Sequence, residues 1–192
     1  MAEITVLNHV SLDGVVQSPA GPDEDPRDGF ALGGWAAPRM DQVLGEFLGS
    51  RMGGEGALLF GRRTYTQFAS FWPHQTDNPY TAVLDRTTKY VVSTTLTEPL
   101  GWQSSVLLPG VDAVAELRSA SEEPLTVMGS GDLVASLREE DLVDRYVLMV
   151  HPVLLGTGHR LFTDTSSPAD LRLTDTLTTT TGVVVVSYER AR

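Results

Sequence analysis

Five consecutive residues, Gly61 Arg62 Arg63 Thr64 Tyr65, place two fixed positive charges directly after the apolar run Ala57 to Phe60, at the head of a helix-patterned segment. This arrangement favours anion binding. A glycine lets a ligand come close to the backbone, and the first turn of a helix leaves N–H groups unpaired toward whatever sits there. Phosphate is the natural first ligand. A second turn repeats the logic: the apolar run Leu125 to Met128 meets Gly129 Ser130 Gly131, and a helix pattern begins near Asp132 with Leu133, Val134 and Leu137 on one face. In a parallel sheet both turns lie at the carboxyl edge, where one extended phosphate-bearing ligand, a dinucleotide, can touch both. Neither turn has Rossmann or Walker spacing, and each alone also fits a plain tight connection.

The elements needed to position these turns are legible. Ile4 to Val10 reads as a buried strand whose end carries Asn8, His9 and Ser11, polar enough to face a site. Asp13 to Trp35 holds Gly14, Pro19, Gly21, Pro22, Pro26, Gly29, Gly33 and Gly34 and predicts a long, exposed segment without regular structure. Met40, Val43, Leu44, Phe47, Leu48 and Met52 form the stripe of an amphipathic helix, with Pro38 near its first turn. Strand Ala57 to Phe60, a helix from about Thr64 to Ala69, a short helix near Tyr80 to Leu84 and strand Tyr90 to Ser93 follow. Next come strand Val106 to Leu108, a helix through Val111, Val114, Ala115 and Leu117, and strand Leu125 to Met128. Strands alternating with helices predict a mainly parallel sheet. After Asp144 the segments Tyr146 to Val150, Leu171 to Leu177 and Val183 to Tyr188 read as strands with little helix between them, so this part is expected to be antiparallel.

A chain of 192 residues, 41% hydrophobic and 20% charged, suits one well-buried domain. The net charge of −11 opposes nonspecific binding to nucleic acid or an anionic membrane, while leaving a small anion free to bind beside local arginines. There is no cysteine, hence no thiolate metal site or cysteine nucleophile, and a cytoplasmic setting is expected. No apolar run approaches membrane-spanning length. The four histidines, His9, His74, His151 and His159, show no metal spacing. No glycine elbow marks a nucleophilic serine.

The ordered motifs resemble the dihydrofolate-reductase-like superfamily, and within it the reductase domain of the bifunctional riboflavin-pathway deaminase-reductase. The segments that carry the resemblance are Ser11 Leu12 Asp13 Gly14, Gly61 to Tyr65, Lys89 to Ser93, Val127 to Gly131 and His151 to Gly158 ahead of Leu161 Phe162. The resemblance implies a three-layer α/β fold with a mostly parallel central sheet, antiparallel C-terminal strands and flanking helices. It further implies an NADPH-dependent reductase, with NADH as the alternative, that passes hydride to a C=N or C=O group of a small polar, pterin- or pyrimidine-like substrate, in a homodimer.

By this resemblance Gly61, Arg62, Arg63 and Thr64 hold the 2′-phosphate and pyrophosphate, and Ser93 and Thr94 approach the adenosine. Gly129, Ser130 and Gly131, with Asp132 and Leu133 of the following helix, lie under the pyrophosphate and nicotinamide riboside. Thr94 stands where the family usually has arginine. Dihydrofolate reductases carry a cis peptide between two glycines at the second turn, a geometry that Ser130 disfavours here. Asp13 is the expected catalytic residue, binding or orienting substrate, although Asp followed by Gly is also a common turn. Asn8, Trp35 and Tyr65, with Trp72, are candidate substrate contacts, although aromatics bordering a helix also serve as core. Asp41 is a further candidate proton donor, or else a solvated or helix-start carboxylate, and His9 is expected to face the nicotinamide or to be a hydrogen-bonded core histidine. The competing expectation is a non-catalytic nucleotide-binding or dimerisation domain of the same fold.

Overall fold

The computed structural model describes residues 1–52, 56–163 and 168–191, without the side chain of Met52. In chain order the elements are β1 (Ile4–Ser11), α1 (Gln42–Met52), β2 (Ala57–Gly61), α2 (Arg62–Phe71), α3 (Pro79–Arg86), β3 (Lys89–Val92), β4 (Ser105–Leu108), α4 (Val111–Ala120), β5 (Leu125–Val127), α5 (Gly131–Glu139), β6 (Arg145–His151), β7 (Leu171–Thr178) and β8 (Val184–Arg190). The strands form one eight-stranded sheet in the order β4-β3-β2-β5-β1-β6-β8-β7. The first six in that order run parallel; β8 is antiparallel to both of its neighbours, β6 and β7.

Alternation along each strand sends side chains to opposite faces and so makes three layers. Ile4 and Val6 of β1 and Ala57 and Leu59 of β2 pack on Val114 of α4 and on Leu133, Val134 and Leu137 of α5. On the other face Leu7 meets Leu44 of α1, and Leu58 and Phe60 meet Tyr65 of α2 and Leu84 of α3. Every residue of β2 is buried, which explains its unbroken apolar run. Full burial of a side chain such as Phe60 contributes about 1.5–3 kcal/mol.

Several boundaries and one pairing differ from the sequence expectation. Pro38 lies in a short 3-10 turn, Ala37–Arg39, ahead of α1 rather than in its first turn. Asp41 takes over the helix start by accepting a hydrogen bond from Leu44 N–H at 2.8 Å. β6 is parallel to β1 over Thr5–Ser11 and antiparallel only to β8, so the antiparallel part begins one strand later than expected. The segment from Asp13 to Trp35 is irregular, as expected, but not simply exposed. Gln17, Ser18, Phe30 and Trp35 are buried, and the Trp35 indole donates to the Gln17 carbonyl at 2.7 Å. Among the described residues no helix is long and apolar enough to cross a membrane.

Candidate functional site

A cleft opens in the middle of the sheet. β1 and β5 are paired only at Ile4, Thr5 and Val6, opposite Leu125, Thr126 and Val127; beyond Val6, β1 continues beside β6 alone. On the other side the contact with β2 persists, because Met128 N–H reaches the Leu59 carbonyl and Gly61 N–H donates to the Gly129 carbonyl at 2.9 Å. The two glycine turns are thus locked to each other while β1 diverges from them.

Their contact is close. A side chain at Gly61 would bring its Cβ to 2.5 Å from the Ser130 hydroxyl, and one at Gly129, whose φ is +117°, would meet the Thr64 hydroxyl at 2.8 Å. The Gly129–Ser130 peptide is cis.

On the outer side of these turns lies a cavity of about 430 Å³ lined by Gly61, Arg62, Arg63, Val92, Ser93, Thr94, Thr95, Gly110, Val111, Ser130, Asp132, Leu133 and Ser136. Three helices, α2, α4 and α5, begin on it, and none has a side-chain hydrogen bond at its N-cap. Their first N–H groups and the positive ends of their dipoles therefore open onto one space. Arg62 is exposed, and no carboxylate pairs with it among the described residues. Arg63 is already engaged, at 2.6 Å from Asp132, which sits in the first turn of α5.

Arg63, Ser130 and Asp132 also line a second cavity of about 330 Å³ in the divergence between β1 and β5. Its walls include Leu7, Val16, Leu48, Phe68, Trp72, Met128, Met149 and Leu161, with Asn8, His9 and Thr64 among them. Most of the charged groups around it are paired. Arg27 pairs with Asp25 at 2.6 Å and reaches Asp132, His159 bonds Asp28, and Arg160 approaches Asp13. Glu24 accepts from Ala20 and Gly21 N–H, and burial raises its pKa. Gln17 is used on both sides, donating to two carbonyls and accepting from His159 N–H.

Two strand residues stand apart from that network. The buried Oδ1 of Asn8 has no partner. His9 places Nδ1 at 2.8 Å from Nε2 of His151, whose ring is fully buried and meets Trp35 edge-on at 5.3 Å. Burial, then the neighbouring His151, lowers the His9 pKa to about 3; burial, then Arg39, lowers that of His151 to about 4. Both rings are neutral at physiological pH.

The residues assigned from sequence to the two turns, together with Ser93, Thr94, Asp132 and Leu133, all lie on these connected cavities, and so does Asn8. Other assignments fall elsewhere. Asp13 is absent from both linings. Its carboxylate accepts from the Ser11 hydroxyl and from Leu155 and Gly156 N–H, and these bonds, Ser11 first, hold its pKa at about 2. It fastens the glycine-rich turn after β6 to the end of β1. Asp41 spends its second oxygen on Thr180 and lies on neither cavity. Trp35 and Tyr65 are core residues: the Tyr65 hydroxyl accepts from Trp102 N–H at 3.1 Å. Trp72 does line the inner cavity. The sequence reading missed Gly110 and Val111 as residues of the outer cavity, although Leu108 Pro109 Gly110 Val111 repeats the strand, glycine, helix pattern of the other two turns.

Comparison with known proteins gives a consistent picture. Residues 2–185 match the RibD C-terminal domain family. The uncharacterized protein YyaP of Bacillus subtilis (strain 168) is 24% identical over 184 residues, covering 93% of this chain and 90% of that protein. A crystal structure from Shewanella sp. PV-4, of a protein named for riboflavin biosynthesis, superposes with a TM-score of 0.67 at 25% identity, covering all of both chains. A pyrimidine reductase-like protein of Corynebacterium diphtheriae gives a TM-score of 0.65 at 14% identity, covering 100% of this chain and 92% of that one. Dihydrofolate reductase of Enterococcus faecalis, complexed with NADP(H), gives 0.64 at 11% identity over 99% and 97% of the two chains, which places the fold with the dihydrofolate reductases.

Proposed function

The chain belongs to the RibD C-terminal domain family and is of reductase type, and on that premise we propose that it is an NADPH-dependent reductase of a C=O or C=N group, built as one dihydrofolate-reductase-like domain. The observation that carries this reading is the convergence of three helix starts without side-chain caps and of Arg62, which meets no carboxylate among the described residues, on one cavity that continues into the β1–β5 divergence. A polyanionic ligand with a planar ring at its far end fits that shape.

The residues present suit the cofactor. Arg62 and the α2 and α4 starts would hold phosphate, with Ser93, Thr94 and Thr95 beside the adenosine. The Gly129 to Gly131 turn would carry the pyrophosphate over the start of α5. The orphan Oδ1 of Asn8 offers an acceptor that a carboxamide N–H can satisfy. When bound, the nicotinamide supplies a hydride from C4 to the substrate carbon; the π pair of that carbon's double bond moves to the oxygen or nitrogen, which takes a proton. The protein positions the pair and excludes water with the walls of the inner cavity. Asp13 supports this by fixing the end of β1 rather than by touching substrate.

Arg62 tips the preference toward NADPH over NADH, because a 2′-phosphate is the extra charge it can meet. The outer edge of β7, which pairs with no strand among the described residues, is exposed along nearly its whole length and shows Leu171 and Leu173, which supports a homodimer. The lack of cysteine fits a reducing cytoplasm.

The test is a thermal-shift titration with NADPH and NADH on wild type and Arg62→Ala. A rise in Tm with NADPH that Arg62→Ala reduces about tenfold in apparent affinity is the expected result. No rise with either nucleotide sinks the reading.

A further inference from the structure

Most carboxyl groups near the inner cavity are occupied: Asp13 and Asp41 are spent on other hydrogen bonds and lie off its lining, Asp25 and Asp132 hold Arg27 and Arg63, and Glu24, whose pKa burial raises, uses Oε2 on the Ala20 and Gly21 N–H groups, so that the strand floor of the cavity presents a histidine and no carboxylate. That histidine, His9, stands on an element that leaves little freedom. It shares a strand face with Leu7, and so faces α1 and the apolar walls Leu48 and Met149. Its Nδ1 is turned to His151, which leaves Nε2 as the nitrogen available to a ligand.

The proton on that nitrogen follows from the pair. If His9 donated to His151, the remaining proton of His151 would sit on Nδ1, which is buried without a partner. A buried orphan N–H is rarer and costlier than an orphan lone pair. The favoured arrangement has His151 Nε2–H donating to His9 Nδ1, so that His9 carries its proton on Nε2. His151 is then the positioning residue, held in turn by the edge of Trp35.

Resting on the reductase reading above, we infer that His9 Nε2–H is the neutral hydrogen-bond donor that holds and polarises the substrate's reducible group, and that the substrate is an uncharged carbonyl compound with an apolar body of about one ring. Among the described residues Arg27, Arg63 and His159 on the cavity each already hold a carboxylate, and only Arg160, half-exposed and 3.9 Å from Asp13, is loosely held, so a phosphate or carboxylate on the substrate would break an existing pair at every cation but that one. A donor aimed at the oxygen is worth most where charge develops on that oxygen during hydride transfer. The hydride goes to the carbonyl carbon, the π pair to the oxygen, and the completing proton arrives from water at the mouth.

Two measurements test this on the full chain. In ¹⁵N-histidine NMR, both rings are expected to be neutral with Nε2 protonated, and His151→Phe should let the His9 proton redistribute between its nitrogens. A His9 with bare Nε2 in the wild type, or a His9 unchanged by His151→Phe, overturns the tautomer argument. In the second, NADPH oxidation is followed with benzaldehyde and with 4-carboxybenzaldehyde, beside an NADPH thermal shift on each protein. The expected result is a preference for benzaldehyde of about tenfold or more, lost about 100-fold in kcat/KM in His9→Phe and regained about tenfold in His9→Gln, which restores a donor near Nε2. An intact NADPH shift with equal rates in wild type and His9→Phe, with neither aldehyde reduced, or with the carboxylated one preferred, overturns this inference alone. Loss of the NADPH shift in the wild type overturns the reductase reading and, with it, this one.

Discussion

Asp132→Asn is the substitution on which the electrostatic description of the cofactor side is most exposed to refutation. Asp132 occupies the first turn of α5, on both cavities, and holds Arg63 at 2.6 Å and Arg27 at 3.5 Å. Its side chain is 58% exposed, so the pair itself contributes at most about 1 kcal/mol to stability and its loss should barely move Tm. Its effect on a bound anion is larger. Were a dianionic phosphate to sit about 6 Å from this exposed carboxylate, an effective dielectric of about 60 would give a repulsion of about 2 kcal/mol, which screening near physiological salt halves to about 1 kcal/mol. Asparagine removes that repulsion and frees Arg63. NADPH should therefore bind about fivefold or more tightly to the variant, with the gain shrinking as salt is raised. Fluorescence titration of NADPH at low and high salt measures it. Unchanged or weaker binding by a folded variant would show that Asp132 acts as a ligand contact, not as the group that holds Arg63 back.

Three other substitutions address separate parts of the structure. Gly129→Ala must push Cβ against the Thr64 hydroxyl at a φ of +117°, and a loss of about 1–3 kcal/mol in urea unfolding is expected, together with loss of the NADPH-induced Tm rise. Lys89→Met removes a fully buried ammonium that donates to the Leu84 and Thr87 carbonyls at the end of α3 and stands over the Trp102 ring; leaving those acceptors unpaired should cost about 1–3 kcal/mol by the same assay. Asp13→Asn tests the loop fastening through pH. Because the folded-state pKa of Asp13 is lowered from 3.8 to about 2, its contribution is present in full above 3.8 and is lost as pH falls toward 2. The stability gap between wild type and variant should close over that window, and a gap independent of pH would argue against a role for the ionised carboxylate.

Much of the architecture was written locally. Apolar runs and stripes located the elements to within a few residues, and Gly61 Arg62 Arg63 and Gly129 Ser130 Gly131 marked both halves of the cleft, because turn chemistry and helix starts depend on neighbouring residues alone. The features that the sequence withheld depend on distant pairing. β6 reads as part of an antiparallel series since little helix separates it from β7 and β8, yet its partner on one side is β1, some 140 residues earlier. The bond between His9 and His151 arises from the same pairing and leaves no local trace. Asp13 misled for a related reason: its partners Leu155 and Gly156 lie in a remote turn, so a structural carboxylate resembled a substrate carboxylate. Trp35 and Tyr65 were placed by aromatic character, which does not distinguish a wall from a core.

The three-residue seam between β1 and β5 has a mechanical consequence. The sheet is really two wings, β4-β3-β2-β5 and β1-β6-β8-β7, stitched along Ile4, Thr5 and Val6. A ligand seated beyond the last stitch spans both wings and acts as a fourth, removable one. Binding should then slow amide hydrogen exchange not only at Met128 to Gly131 and Leu7 to His9 but along the paired stretch Leu148 to His151, of which only Met149 lines the inner cavity and none lines the outer one. The molecule would report occupancy as stiffness, with the free protein breathing about that short seam and the loaded one moving as a single plate.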